Sequence, residues 1–66
     1  MSTGVGDGPG EVYFEFIAIG ASVKVAAIHA ATGIEVSIVG PSSAAQSDLE
    51  RLALAKLKAR LARDGA

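Results

Sequence analysis

From Glu11 onward the chain alternates. Val12, Phe14, Phe16 and Ala18 take every second position, with Tyr13, Glu15, Ile17 and Ile19 between them. A period of two in β-branched and aromatic residues predicts a strand. Gly20-Ala21 then fits a two-residue hairpin loop, with glycine first as a type II′ turn requires. A second strand follows from about Ser22 to His29, in which Val23, Val25 and Ala27 alternate with Lys24, Ala26 and Ile28. Ala30-Ala31-Thr32-Gly33 makes a four-residue connection, and Gly33 can take the left-handed conformation that closes it. The third strand, Ile34 to Val39, sets Ile34, Val36 and Ile38 against Glu35, Ser37 and Val39, and Gly40-Pro41 ends it.

After Pro41 the pattern changes to that of a helix. Two capping boxes occur in series, Ser43 with Gln46 and Ser47 with Glu50. Either serine can accept a bond from a first-turn amide, so either can start the helix. Leu49 to Arg63 holds no glycine, proline or β-branched residue, and most of its residues are strong helix formers. Asp48 and Glu50 lie early and Lys56, Lys58, Arg60 and Arg63 late, as the helix dipole favours. Gly65 is a natural stop.

Turn chemistry fixes a register. The first loop places Phe16 opposite Val25, Phe14 opposite Ala27 and Ala18 opposite Val23. The second places Ala27 opposite Val36 and Val25 opposite Ile38. Both bring the apolar sets of the three strands onto one face, so turns and alternation agree. The expected fold is α+β: a three-stranded antiparallel β-meander followed by one C-terminal α-helix on that face. The helix is expected to lay its Leu57/Leu61 side on Phe14, Phe16 and Val25. Residues 11–64 would form this single small domain.

The first ten residues, MSTGVGDGPG, hold four of the eight glycines. Such a stretch loses much backbone entropy on ordering and offers little to bury. A disordered glycine-rich tail is expected over residues 1–10. A phosphate-binding loop is not, because the dinucleotide fingerprint must follow a strand and open a helix.

The strand and helix segments Glu11-Val12-Tyr13-Phe14-Glu15-Phe16, Val23-Lys24-Val25, Thr32-Gly33-Ile34-Glu35-Val36-Ser37-Ile38-Val39-Gly40-Pro41 and Leu49-Glu50-Arg51-Leu52-Ala53 resemble a family of short uncharacterised bacterial proteins, mainly alphaproteobacterial. The resemblance covers about residues 11–61. It implies no activity and no catalytic residue. It does imply an aspartate in place of His29, which would make that position a turn cap. Some members carry a serine hydroxymethyltransferase label, but a 66-residue chain has no room for a pyridoxal-phosphate site.

Composition removes other chemistries. There is no cysteine, hence no disulfide, thiolate metal site or catalytic thiol. His29 is the only histidine; with Ile28 and Ala30 beside it, a polar strand end bonded to the loop backbone is expected, not a base or ligand. Glu11, Glu15 and Glu35 share the outer face without a forced pair, and Glu15 could pair diagonally with Lys24. Gly40-Pro41-Ser42-Ser43 leads into a helix start, where free amides hold anions weakly, but serine capping explains it. No catalytic, cofactor-binding or metal residue is assigned, and no cofactor. The longest apolar run, Phe16 to Ala21, is far short of the roughly 20 residues of a membrane span, and Met1-Ser2-Thr3-Gly4 lacks a secretory start. A cytoplasmic protein without membrane partners is expected.

Charge is uneven. Residues 1–40 carry Lys24 against Asp7, Glu11, Glu15 and Glu35, whereas the rest carries Arg51, Lys56, Lys58, Arg60 and Arg63 against Asp48, Glu50 and Asp64. A basic helix suggests nucleic acid, but without aromatic partners the footprint is poor. This weak nucleic-acid binding is kept as the alternative.

Surplus hydrophobicity is more informative. Ile17, Ile19, Ile28 and Val39 lie on the sheet face away from the helix. Leu52, Ala55, Ala59 and Ala62 lie off the main leucine sector of Leu49, Ala53, Leu54, Leu57 and Leu61. A domain near this size gains only about 3–5 kcal/mol from its core, and large wet apolar patches usually mark interfaces. The leading expectation is a non-enzymatic protein-interaction module, acting as a homodimer or small accessory subunit. Either the outer sheet face or the alanine side of the helix could form the contact.

Overall fold

The computed structural model describes residues 2–5 and 10–65. Four strands, β1 (Ser2–Val5), β2 (Val12–Ile19), β3 (Ser22–His29) and β4 (Glu35–Pro41), precede one helix, α1 (Gln46–Arg63). The sheet runs in the order β1-β2-β3-β4, with every pair antiparallel. The fold is α+β, with the meander and C-terminal helix that the hydrophobic pattern predicts.

Both hairpin registers follow the turn chemistry. Phe14 faces Ala27 and Phe16 faces Val25 across β2 and β3. Val36 faces Ala27 and Ile38 faces Val25 across β3 and β4. Gly20 takes φ 59° while no non-glycine residue among those described has positive φ, which matches a turn with positive φ only at its first central position. Gly33, at φ 74°, donates its N–H to the His29 carbonyl at 2.8 Å and closes the second loop.

Three features depart from the sequence reading. The stretch expected to be a tail contributes β1, which pairs Ser2 with Glu15 through Val5 with Val12. Strand pairing needs main-chain N–H and C=O groups rather than side chains, and the free edge of β2 offers a row of them. The expectation of disorder at Met1 and at residues 6–9 lies outside the described residues. Second, β4 starts at Glu35 and does not end at Val39: Gly40 pairs with Val23 and Pro41 with Ser22. Proline is tolerated there because β4 is an edge strand and Pro41 its last residue. Third, neither Ser43 nor Ser47 caps the helix. The cap residue is Ala45, in extended conformation and without a side-chain bond. A four-residue link from Pro41 and the seating of Leu49 on the sheet set the helix start. At the other end Gly65, at φ 76°, donates to the Ala62 carbonyl and stops the helix as expected.

The core lies between α1 and one sheet face. Val12, Phe14, Val25, Ala27, Val36, Leu49, Ala53 and Leu57 are buried together. Leu54 and Leu61 pack on its border. The helix lies over β3 and β4, not centrally over the sheet. Phe14 and Val25 are covered, whereas Phe16 is half-buried and packs at the border of this core. Two contacts fix the helix path. Leu49 sits against Gly40, where an added Cβ would come within 2.6 Å of its Cδ2. Lys56 Nζ donates to the Ser37 carbonyl at 2.7 Å. Seven helical residues advance about 10.5 Å and three strand residues about 10 Å, so α1 runs back along β4, nearly antiparallel to it.

Two substitutions test this packing. Leu57→Ala should lower stability by about 2–5 kcal/mol, and Lys58→Ala by less than about 0.5 kcal/mol. Gly40→Ala should cost about 1–3 kcal/mol by overpacking, and less in a Leu49→Ala background, where the colliding methyl is gone. Urea denaturation of the four variants and the double mutant reads these differences. Equal midpoints for Leu57→Ala and Lys58→Ala would show that the helix face is wrongly assigned.

Candidate functional site

Among the described residues no element covers the sheet face away from α1, and the pleat arranges its side chains in rows. One row runs Ile17, Lys24, Val39, and the next, toward the hairpin end, Ile19, Ser22, Pro41. Ile17, Ile19 and Val39 are 47%, 56% and 67% exposed, although all three are apolar. On the other side of Lys24 comes the row Glu15, Ala26, Ser37, and beyond it Tyr13, Ile28, Glu35. Ile28, expected to join the other isoleucines, is separated from them by this middle row and is half-buried. Ala26 is buried among its larger neighbours even though it faces outward. The face therefore has an apolar end with one cation, Lys24, and an end carrying acidic groups. There the Glu11 carboxylate, an acceptor for the Tyr13 phenol, raises the phenol above its ordinary range, with desolvation adding to the shift.

The second candidate surface is on the helix. Leu52 is 59% exposed, and Ala55 and Ala59 are exposed. Helical geometry places Leu52, Ala59 and Arg63 on the side of Lys56, within about 60° of it. Since Lys56 reaches the Ser37 carbonyl on β4, this stripe overlooks the open edge of the sheet. It does not join the outer-face cluster, which lies on the opposite side of the sheet. The opposite flank of the helix, with Glu50, Arg51 and Leu54, borders a cleft beside Phe14.

A further cleft of about 300 Å³ opens between the start of the helix and β2, lined by Phe16, Ala18, Val23, Ala44 and Leu49 with Ser42 and Gln46. It exists because α1 is displaced toward β4. Nothing in the hydrophobic pattern signals it, since alternation reports which face a residue takes and not which part of that face the helix covers.

Groups with chemical potential stay apart. His29 Nδ1 lies 2.8 Å from Thr32 Oγ1, and the same oxygen accepts the Ile34 N–H at 3.2 Å. The histidine thus bonds a side chain that in turn holds the loop backbone, rather than bonding the backbone itself. Glu15 makes no ion pair with Lys24 among the described residues; the pairs present are Asp48–Arg51 at 3.5 Å and Arg60–Asp64 at 2.9 Å. Gly40 and Pro41 belong to β4, and Ser42 and Ser43 precede the helix by several residues, so the anion site considered at a serine-capped helix start is not formed. No three His, Asp or Glu side chains gather among the described residues. Of the helical cations, Arg51 and Arg60 are paired with acids, Lys56 and Arg63 share the stripe above the sheet edge, and Lys58 points to nearly the opposite side. Among the described residues no helix is long and apolar enough to cross a membrane.

Residues 9–64 match the model of the DUF6898 family, a domain of unknown function, and the chain belongs to that family. No curated protein and no solved structure matches the chain.

The loop network generates a prediction. Thr32→Val removes the acceptor of the Ile34 N–H and the partner of His29, and should cost about 1 kcal/mol. His29→Asp should fold normally, because a short acidic side chain can hold the same loop. Zinc or nickel titrated into the wild type should give no stoichiometric amide shifts at His29. Saturable shifts there would assign the histidine a ligand role.

Proposed function

We propose that this DUF6898 domain is a non-enzymatic interaction module that works as a homodimer, joined through its outer sheet face. The observation that carries the reading is the exposure of Ile17, Ile19 and Val39 on a face that no other element covers among the described residues. Wet apolar surface forfeits about 25 cal/mol per Å², and a domain this small has little stability in reserve. Leu52 is the only large apolar side chain exposed to a similar degree among the described residues of the helix, which makes the sheet face the stronger candidate.

Ile17 and Val39 flank Lys24 in one row of this face. Burial of a lysine without a counter-charge would be costly, so the contact keeps the Lys24 ammonium at its rim with the aliphatic stem along the apolar side chains. The setting proposed for the dimer is the bacterial cytoplasm, alone or as the accessory subunit of a larger protein. Weak nucleic-acid binding would rest on two cations of one helix stripe, Lys56 and Arg63, without an aromatic partner beside them, which is a poor footprint.

Sedimentation equilibrium tests the reading. The wild type should sediment at twice its 6.6 kDa mass as concentration rises, and a mass that stays monomeric would refute it. Ile17→Lys should dissociate the dimer, whereas Ala59→Glu should leave it intact. The reverse result would transfer the contact to the helix.

A further inference from the structure

A second surface carries a different inference. β4 is an edge strand of the sheet. The N–H and C=O of one residue in an antiparallel ladder point the same way. The Ser37 carbonyl meets Lys56 rather than β3, so Glu35, Ser37 and Val39 turn their main-chain groups outward while Val36, Ile38 and Gly40 turn theirs to β3. Open edges are commonly blunted by lysine and proline. Here Pro41 removes the last donor, and the ammonium of Lys56 occupies the central acceptor. Unlike a proline, a lysine is a movable block. Its bond to a neutral carbonyl can be exchanged for a carboxylate, which makes the stronger charge-assisted bond.

The helix provides a wall along this edge. Because α1 runs back along β4, a strand added antiparallel to β4 would pass Leu52 first, then Lys56, then Arg63. Leu52 and Lys56 are about 6 Å apart along the helix axis, close to the spacing of alternate strand residues. We infer that the β4 edge accepts an extended acidic peptide segment by strand addition, with an apolar residue against Leu52, a carboxylate two residues later against Lys56, and a second carboxylate four residues later within reach of the long side chain of Arg63, which starts about 10.5 Å beyond Lys56 along the axis. Main-chain pairing would give affinity and the alternate side chains specificity. A second copy suits this edge poorly: two β4 strands paired around Ser37 bring Lys56 against its own counterpart. This surface is separate from the Ile17–Val39 face, so the inference does not depend on the dimer.

The test uses the isotope-labelled full chain and a capped peptide, Thr-Ile-Val-Glu-Val-Glu-Thr, with a control in which both glutamates are lysine. Saturable amide shifts at Glu35, Ser37 and Val39 are expected with the acidic peptide, smaller ones at Val36 and Ile38, and about tenfold weaker binding of the control. Lys56→Glu, an exposed change that should leave the far-ultraviolet circular dichroism unaltered, should reverse the preference. No saturable shift at millimolar peptide would overturn the proposal. So would equal binding of both peptides, or shifts centred on Ile17 and Ile19. Concentration-dependent shifts at the β4 edge without peptide would assign the edge to a second copy and overturn it also. Sedimentation of the same samples reports the sheet-face dimer independently.

Discussion

The contact on which the rest of the structure depends is that of Leu49, Ala53 and Leu57 with β3 and β4. Ala53 and Leu57 are fully buried, and Gly40 presents no side chain where Leu49 seats. Small residues at this contact bring helix and strand close. Close approach to β4, with only four residues joining strand to helix, displaces α1 from the middle of the sheet. That displacement leaves Phe16 half-covered, opens the cleft beside it, and brings Lys56 within reach of the outermost main chain.

The same displacement makes the two sides of the domain unlike. Toward β2, the inner face is open and apolar around Phe16, Ala18 and Val23. Toward β4, the helix overlooks an edge whose central carbonyl is held by a lysine. The other edge is β1, which pairs along Val12 to Glu15, so among the described residues no strand flanks Phe16 to Ile19 on the side away from β3. One helix can cover one face of such a sheet, so the outer face remains wet whatever the helix does. Its isoleucines and Val39 are surplus to the core, and the proposed interface rests on this surplus.

The distribution of polar groups agrees with that reading. The carboxylates of Glu11, Glu15 and Glu35 lie in different rows or at the end of the sheet. His29 is engaged with Thr32 at a loop. The helical arginines Arg51 and Arg60 are matched within one turn by acids. Such arrangements orient loops and solvate surfaces, and none of them aims two reactive groups at a common point.

Local rules determined much of this protein from its sequence. Alternation and the two glycine turns specify strands, faces and register, because a one-residue slip would turn Phe14, Val25 and Val36 to water. The leucine spacing specifies which side of the helix is buried, and Gly65 specifies its end. What tertiary structure decided involves relations between elements. The serines do not cap the helix, because the seating of Leu49 on Gly40 outweighs a bond of about 1 kcal/mol. The glycine-rich N-terminus supplies β1 because an unpaired edge offers main-chain partners that composition does not reveal. The register already parts Ile28 from Ile17 and Ile19 by a row that includes Glu15, and the structure adds that Ile28 is half-buried while the other two are exposed. The place of Leu52, above an open strand edge and beside Lys56, depends on where the helix lies across the sheet; periodicity fixes rotation about the helix axis but not translation over the strands.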